Sequence, residues 1–264
     1  MTMTTGGATG VGPLVRRWRE RRRRSQLDVS IAADVSTRHL SCIETGRSRP
    51  SRDMIERLCD ELDVPLRERN AFHLAAGLAP VHRERPLADL GAAREAIDAV
   101  LAGQNPNPAV AVDSRWDLLA ANAAMRRFLA DTPESLTGPP LNMLRVSLHP
   151  DGFAGRLRNP AQWRRHVLRR VRRQWERTDD PALADLLEEL ESYPAPPPGG
   201  DVRAVGDDIA VPMILGTEFG DLSLLYAVTV FGSPRDVTLD EIAIETFFPA
   251  DDTTRRILVA AAAG

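Results

Sequence analysis

Thr37, Arg38, Ser41 and Cys42 lie within the stretch SQLDVSIAADVSTRHLSCIETGRSRP, residues 25–50. On a helix they share the outward side, while Leu40 and Ile43 point inward. A helix with outward polar side chains fits the major groove, where base pairs present distinguishable donors and acceptors. Arg38 is the most informative of the four, because a planar guanidinium can bind guanine O6 and N7 together. The elements that must hold this face are legible on both sides of it. Ser25 and Asp28 form an S-x-x-D capping pattern for a first helix, with Val29 and Ala32 on one face. The chain breaks near Asp34 and Val35, Ser36 caps the second helix, and Gly46 ends it as a left-handed terminus prefers. A buried helix leading a polar, cationic one is the helix-turn-helix arrangement. The plainer alternative is a helical hairpin whose arginines are merely solvated.

The same residues carry a family resemblance. SQLDVSIAADVSTRHLSCIETGRSRPS resembles the Cro/C1-type (XRE-like) helix-turn-helix through S-Q, A-x-x-V-S, I-E-x-G and R-P-S. The longer string RHLSCIETGRSRPSRDMIERLCDELDVPLRERNAFHLAAGLAP is similar to the MmyB-like subgroup of bacterial regulators, and the likeness covers nearly the whole chain. Carried onto matching positions, the resemblance makes Thr37 and Arg38 the first base readers and Ser41 and Cys42 the next. It places Gln26 at phosphate, where it also supports the recognition residue, and gives the DNA backbone to Ser36, Thr45, Arg47 and Arg49. Asp34 departs from the family, which has glycine in the turn; Asp tolerates left-handed backbone better than most residues.

Composition narrows the partner. The net charge is −3, yet between Leu14 and Arg52 eleven Arg face four acidic residues, a local +7 that leaves about −10 elsewhere. Such a block points to a polyanion partner for that part alone. All 34 basic residues are Arg, which reads as a codon bias. Within LVRRWRERRRR, the residues Arg16, Arg17, Arg19 and Arg21 to Arg24 are placed to approach phosphates or to form a solvated face. Cys42 and Cys59 have no metal-ligand spacing, and no disulfide is expected. With no signal sequence and no apolar run of membrane length, the expectation is a cytoplasmic protein without membrane insertion.

Taken in order, residues 1–10 read as disordered, 11–77 as the DNA-binding unit, 78–90 as a linker and 91–264 as a second domain. The fold class expected is an all-α, five-helix, lambda-repressor-like helix-turn-helix domain followed by an α+β domain with an antiparallel sheet. In the second domain a helix over 91–103 precedes strands at 109–113 and 116–122 and a helix over 122–130. An irregular stretch leads into LNMLRVSLHPDG. Asn159 and Pro160 then cap and start a long helix, with Trp163, Val167, Val171 and Trp175 inward. Asp180 and Pro181 start another helix, and PAPPPGG (194–200) is a loop. IAVPMILG (209–216) and DLSLLYAVTVFG (221–232) read as adjacent antiparallel strands. Thr238 and Glu241 form a capping box for a short helix, and the Ala-rich end is helical. RRHVLRRVRR (164–173) offers a second cationic face, read as a solvated amphipathic helix.

Catalytic signatures are missing: the chain has no G-x-S-x-G, H-E-x-x-H, P-loop or G-x-G-x-x-G, and its five histidines are scattered. No enzyme, metal or cofactor is expected. The MmyB-like resemblance implies a PAS-like domain with an apolar pocket able to hold a fatty acid. Apolar runs at 141–148, 209–215 and 222–231 permit such a pocket. Polar residues embedded among them, Asn122, Asn142, Arg145 and His149, are candidates to fix a headgroup, Arg145 by pairing with a carboxylate. Alternatively they cap turns and bridge elements. The function expected is that of a bacterial one-component transcription regulator. It would bind double-stranded operator DNA as a homodimer, and a fatty-acid-like ligand would modulate its affinity. The competing reading makes the second domain only a dimerisation or protein-interaction module.

Overall fold

Reciprocal capping starts the helix ahead of the turn. The Ser25 backbone N–H donates to Asp28 Oδ2 at 2.8 Å and the Asp28 N–H to Ser25 Oγ at 3.1 Å. The structure, a computed structural model, describes residues 10–86, 89, 91–196, 211–232 and 236–263. It divides into two compact units, 1–85 with 235–237 and 86–234 with 238–264. Several expectations fall partly outside the described residues: the N-terminus through residue 9, part of the linker (87, 88 and 90), the end of the proline-rich loop (197–200) and the strand start at 209–210.

The first unit is helical: α1 (Val11–Arg21), α2 (Gln26–Ala32), α3 (Thr37–Glu44), α4 (Arg52–Glu61) and α5 (Leu66–Ala75). Asp34 takes the left-handed conformation between α2 and α3, with φ of 52°, so the turn forms without the glycine. Ser36 and Ser51 cap α3 and α4 through Oγ. The core gathers Val15, Trp18, Val29, Leu40, Ile43, Ile55, Leu58 and Phe72. Two assignments shift. Ala33, at the end of α2, is buried in place of Ala32, and Leu74 faces outward while His73 is buried. Gly12 lets α1 meet the end of α3: a Cβ there would lie 2.4 Å from the Ile43 carbonyl oxygen.

The second unit runs α6 (Gly91–Gly103), β1 (Ala109–Val112), β2 (Leu118–Ala121), α7 (Ala123–Leu129), α8 (Glu134–Thr137), α9 (Met143–Leu148), α10 (Pro160–Thr178) and α11 (Pro181–Ser192). It continues with β3 (Met213–Thr217), β4 (Gly220–Val230), α12 (Val237–Asp240), β5 (Ala243–Pro249) and α13 (Asp252–Ala263). The five strands form one antiparallel sheet in the order β2-β1-β5-β4-β3. The β5 strand is absent from the sequence reading and is the element that joins the two hairpins. It pairs with β1 on one side (Val110 opposite Glu245) and β4 on the other (Tyr226 opposite Phe247). Alternation divides the strand residues between two cores. Val110, Val112 and Phe247 join α7, α9, α10 and α11 in the larger core, while Ala109, Ala111 and Ile244 join Ile97 and Leu101 of α6 in the smaller.

The stretch expected to be irregular, ahead of LNMLRVSLHPDG, contains the short α8, and LNMLRVSLHPDG itself contains α9. Asn159 precedes α10 as foreseen but makes no side-chain cap. Its amide instead fastens the strand beside it, donating to the Pro212 carbonyl at 2.8 Å and accepting from the Ile214 N–H at 3.1 Å.

Candidate functional site

On α3 the inward and outward sides separate cleanly: Leu40 and Ile43 are fully buried, Thr37 and Arg38 exposed, Ser41 and Cys42 half-buried. The exposed side chains of Arg38, Arg47 and Arg49 make no hydrogen bond or ion pair among the described residues. Four of the other predicted DNA contacts, Gln26, Ser36, Thr37 and Thr45, already have internal partners. Ser36 Oγ accepts from the His39 N–H at 3.2 Å, and the Thr37 hydroxyl meets Ser30 Oγ at 2.9 Å. The Thr45 hydroxyl donates to the Ser41 carbonyl at 2.7 Å, closing the helix end, where Gly46 has φ of 73°. Gln26 turns inward, its amide donating to Glu44 Oε2 at 2.8 Å.

That carboxylate anchors the recognition helix. The Glu44 side chain is 3% exposed and takes two hydrogen bonds from Arg19, Nε to Oε1 at 2.6 Å and Nη2 to Oε2 at 2.9 Å. Burial pushes the Glu44 carboxyl up, but the bonds from Arg19 and Gln26 outweigh it and hold the group below its ordinary range. The last residue of α3 is thereby tied to both α1 and α2. The cationic block is accordingly less open than its composition suggests. Arg22 donates to the Leu62 and Asp63 carbonyls and Arg24 to the Glu61 carbonyl, while Arg16 pairs with Glu20.

In the second unit, the four residues expected to hold a headgroup are taken up by the fold. Asn122 caps α7: its Oδ1 accepts from the Met125 and Ala109 N–H groups, and its Nδ2 donates to the Asn107 and Leu101 carbonyls. Asn142 caps α9 through Leu144 and Arg145, and donates to the Arg115 carbonyl and to Asp117. Arg145 does pair with a carboxylate, that of Glu189 on α11, through Nε and Nη2 at 2.8 Å each. The His149 ring accepts from the Asp151 N–H and meets Tyr193 edge-on. None of the four lines the cavity of the larger core. Most of their hydrogen bonds close turns and helix ends, which is the alternative that the sequence also offered.

The cavity lies in the larger core. It is lined by Met125 of α7, Met143, Leu144 and Ser147 of α9, and Phe153. Trp163, His166, Val167 and Arg170 of α10, Met213 of β3, Tyr226 of β4, and Glu245 and Phe247 of β5 complete it. The space open to the centre of a water molecule is about 30 Å³, enough for roughly two waters. Apart from Ser147, which accepts from Trp163 Nε1 at 2.8 Å, its polar groups form one connected cluster. Arg170 donates to Glu245, and its guanidinium lies over the rings of Tyr226 (4.9 Å) and Trp116 (5.3 Å). Trp116 Nε1 reaches Glu245 Oε1 at 3.4 Å, and His166 Nε2 meets the Tyr226 hydroxyl at 2.7 Å. His166 Nδ1 is buried with no partner among the described residues. Burial, reinforced by Arg170, Arg169 and Arg173, holds His166 below its ordinary pKa, and burial raises that of Tyr226.

Sequence reasoning missed this cluster although part of its signal was present. Counting from Trp163, His166 and Arg170 fall at i+3 and i+7, on the buried stripe of α10. Their polarity assigned them to the solvated face instead. The outer face of that helix is also partly engaged, through Arg172 with Glu191 and Arg164 with the Glu191 carbonyl. Among the described residues, no group of three or more His, Cys, Asp or Glu is arranged to hold a metal. Both cysteines are free, and burial pushes the Cys59 thiol up to about 12.

Two families match this division of the chain. Residues 11–72 match a helix-turn-helix domain, which covers α1 to α4 and most of α5. Residues 93–261 match the MmyB-like transcription regulator ligand binding domain, which covers the sheet, the cavity and the helices around it. No curated protein matches the chain. With a DNA-binding helix-turn-helix ahead of a ligand-binding domain that makes up most of its length, the chain belongs to the family of MmyB-like transcription regulators.

Proposed function

We propose that the protein is a cytoplasmic one-component regulator whose affinity for operator DNA changes when an apolar, fatty-acid-like molecule occupies the cavity of the second unit. The observation that carries this reading is the cavity itself: apolar walls with one connected group of charged and aromatic polar side chains. Ligand sites are mostly apolar with a few convergent polar groups, which is this composition. An acyl chain needs more room than the cavity offers as it stands. Met125, Met143 and Met213 are the flexible, unbranched side chains that would give way.

On the DNA, Arg38 reads a base edge, with Thr37, Ser41 and Cys42 beside it, and Arg47 and Arg49 hold phosphates. Gln26 acts on DNA chiefly through Glu44, by fixing α3. A single helix-turn-helix reads few base pairs, so the regulator works as a homodimer on half-sites about one helical turn apart. The ligand shifts DNA affinity by as much as it prefers one arrangement of the protein over another.

A second reading is favoured by a different observation. The end of β4 exposes Val228 and Val230 on the same face of the sheet, and exposed apolar side chains of this kind suit association. There the second unit would serve dimerisation alone, with a filled core. Mass spectrometry of the purified protein under native and then denaturing conditions tests the first reading, followed by operator titration with and without the molecule found. A co-purified apolar acid that alters operator affinity is the expected result. A protein that purifies empty and gains no thermal stability from a panel of fatty acids belongs to the second reading.

A further inference from the structure

The Arg170–Glu245 pair differs from the other buried or half-buried arginine pairs in how little of its hydrogen-bonding capacity it uses. Arg19 donates through Nε, Nη1 and Nη2, and Arg145 holds Glu189 side-on through Nε and Nη2. Arg170 makes a single hydrogen bond among the described residues, Nη2 to Glu245, although its guanidinium carries five N–H donors. Its faces rest on Trp116 and Tyr226, so the ring stacking orients the fork without engaging those donors. Glu245 is equally lightly held, with the Trp116 Nε1 contact at 3.4 Å as its other hydrogen bond. Both side chains line the cavity, and they are its only carboxylate and its only guanidinium among the described lining residues.

We propose that this pair is an exchangeable latch: an acid entering the cavity takes the place of Glu245 on Arg170, and the site takes up one proton from solvent as it does so. The inference rests on the reading of the cavity as the effector site. Before exchange the site holds one cation and one anion. Afterwards the ligand carboxylate pairs with Arg170, and the displaced Glu245 side chain, 6% exposed, is left without a cation in a closed core. A second buried negative charge beside the first is far costlier than a shared proton, so two carboxylates facing one guanidinium hold one proton between them. The net charge of the site is unchanged and no covalent bond to carbon is made or broken. The titratable and charged groups facing Glu245 are Arg170 and His166 from α10 and Tyr226 from β4, with Arg169 and Arg173 acting on His166. His166 is the rival proton acceptor, through its unpartnered Nδ1. The latch also sits on the strand that joins the two halves of the sheet, paired with β1 at Val110 and with β4 at Val228.

Calorimetric titration of the full-length protein with decanoate and with 1-decanol, in phosphate and in Tris over pH 6 to 8, tests this. The expected result is uptake of about one proton per decanoate bound, with affinity falling about tenfold per pH unit, and none for decanol. In Glu245→Gln the proton uptake and the pH dependence disappear, and decanoate binds more tightly because no carboxylate has to be displaced. Wild-type protein that binds decanoate without proton uptake overturns the latch, whatever the variant does. Uptake that persists in Glu245→Gln assigns the proton to His166 and overturns it too. Acid and alcohol binding alike at every pH sinks the latch while leaving the cavity as the effector site. If neither probe binds, both readings fall together.

Discussion

Each unit of the chain contains a buried Arg–Glu pair, and the two pairs are built differently. In the helical unit Glu44 is met by Nε and Nη2 of Arg19 and by the Gln26 amide, so both of its oxygens are engaged. In the α+β unit Arg170 and Glu245 share one hydrogen bond beside an open space, with an unpartnered histidine nitrogen close by. Buried ion pairs contribute little net stability unless their hydrogen bonds are completed. The first pair is completed and therefore fastens α3 in place. The second is left incomplete, which suits a place where another charged group is to be received.

The largest expected effect breaks the closed pair. Glu44→Ala strands the Arg19 guanidinium beneath α3, and loss of a buried partner of this kind costs about 3–5 kcal/mol. Urea unfolding of the full-length protein should show the helical unit melting early, with operator binding lost in parallel. The same pair sets an acid limit. Because the folded Glu44 carboxyl sits below its ordinary value, its contribution is fully present above the unfolded value, near pH 4.5. It is lost as pH falls through the folded value, so the Glu44→Gln variant should lose less stability than wild type over that acid range. An acid unfolding profile that does not distinguish the two would remove Glu44 as the anchor.

How much of this was legible in the sequence follows the same contrast. The helical unit was readable because its signals are local. Ser25 with Asp28, Ser36 and Ser51 name their helix starts within four residues, Asp34 marks the turn, and Gly46 the end. What was not readable there is the long-range pairing: nothing near Gln26 or Arg19 says that Glu44, at a separation of 18 or 25 residues, engages both. In the α+β unit the local signals pointed away from the site. The strand AIETFFP places Glu245 on a buried face in the middle of the sheet, where a charge counts against a strand assignment. His166 and Arg170 were hidden by polarity on a stripe that spacing alone would have chosen. Asn122 and Asn142 drew notice as polar residues beside apolar runs, which describes helix caps as well as it describes ligand contacts.

Arg38→Ala comes next in size. No hydrogen bond or ion pair among the described residues engages this side chain, so its removal should leave stability unchanged. It should cost about 1–3 kcal/mol on the preferred operator and relax preference at one base pair. Binding selections on randomised half-sites read this directly. A uniform loss across all sequences would make Arg38 a phosphate contact. Asn142→Ala sharpens the other side of the comparison. Loss of the cap on α9 and of the bond to Asp117 should lower stability by about 1–2 kcal/mol. Decanoate affinity, measured well below the melting temperature, should be unchanged. A variant of normal stability that no longer binds the acid would return Asn142 to the ligand.

The smallest effect separates the two kinds of free arginine. Arg47 follows the glycine that ends α3, and its backbone N–H still bonds to the Cys42 carbonyl at 2.8 Å, so the first residue of the loop is held while its side chain is free. On the proposed reading a guanidinium in that position, beyond the reading face, would meet sugar–phosphate and carry no sequence information. Arg47→Ala should therefore weaken operator and non-specific DNA to a similar degree. The dependence of log affinity on log salt should become shallower by about one unit, since each phosphate contact contributes about 0.9 to that slope. Fluorescence anisotropy over a salt series on both DNAs gives the two slopes. A change in the ratio of specific to non-specific affinity, at constant slope, would move Arg47 into the groove and leave Arg49 as the free phosphate contact that follows α3.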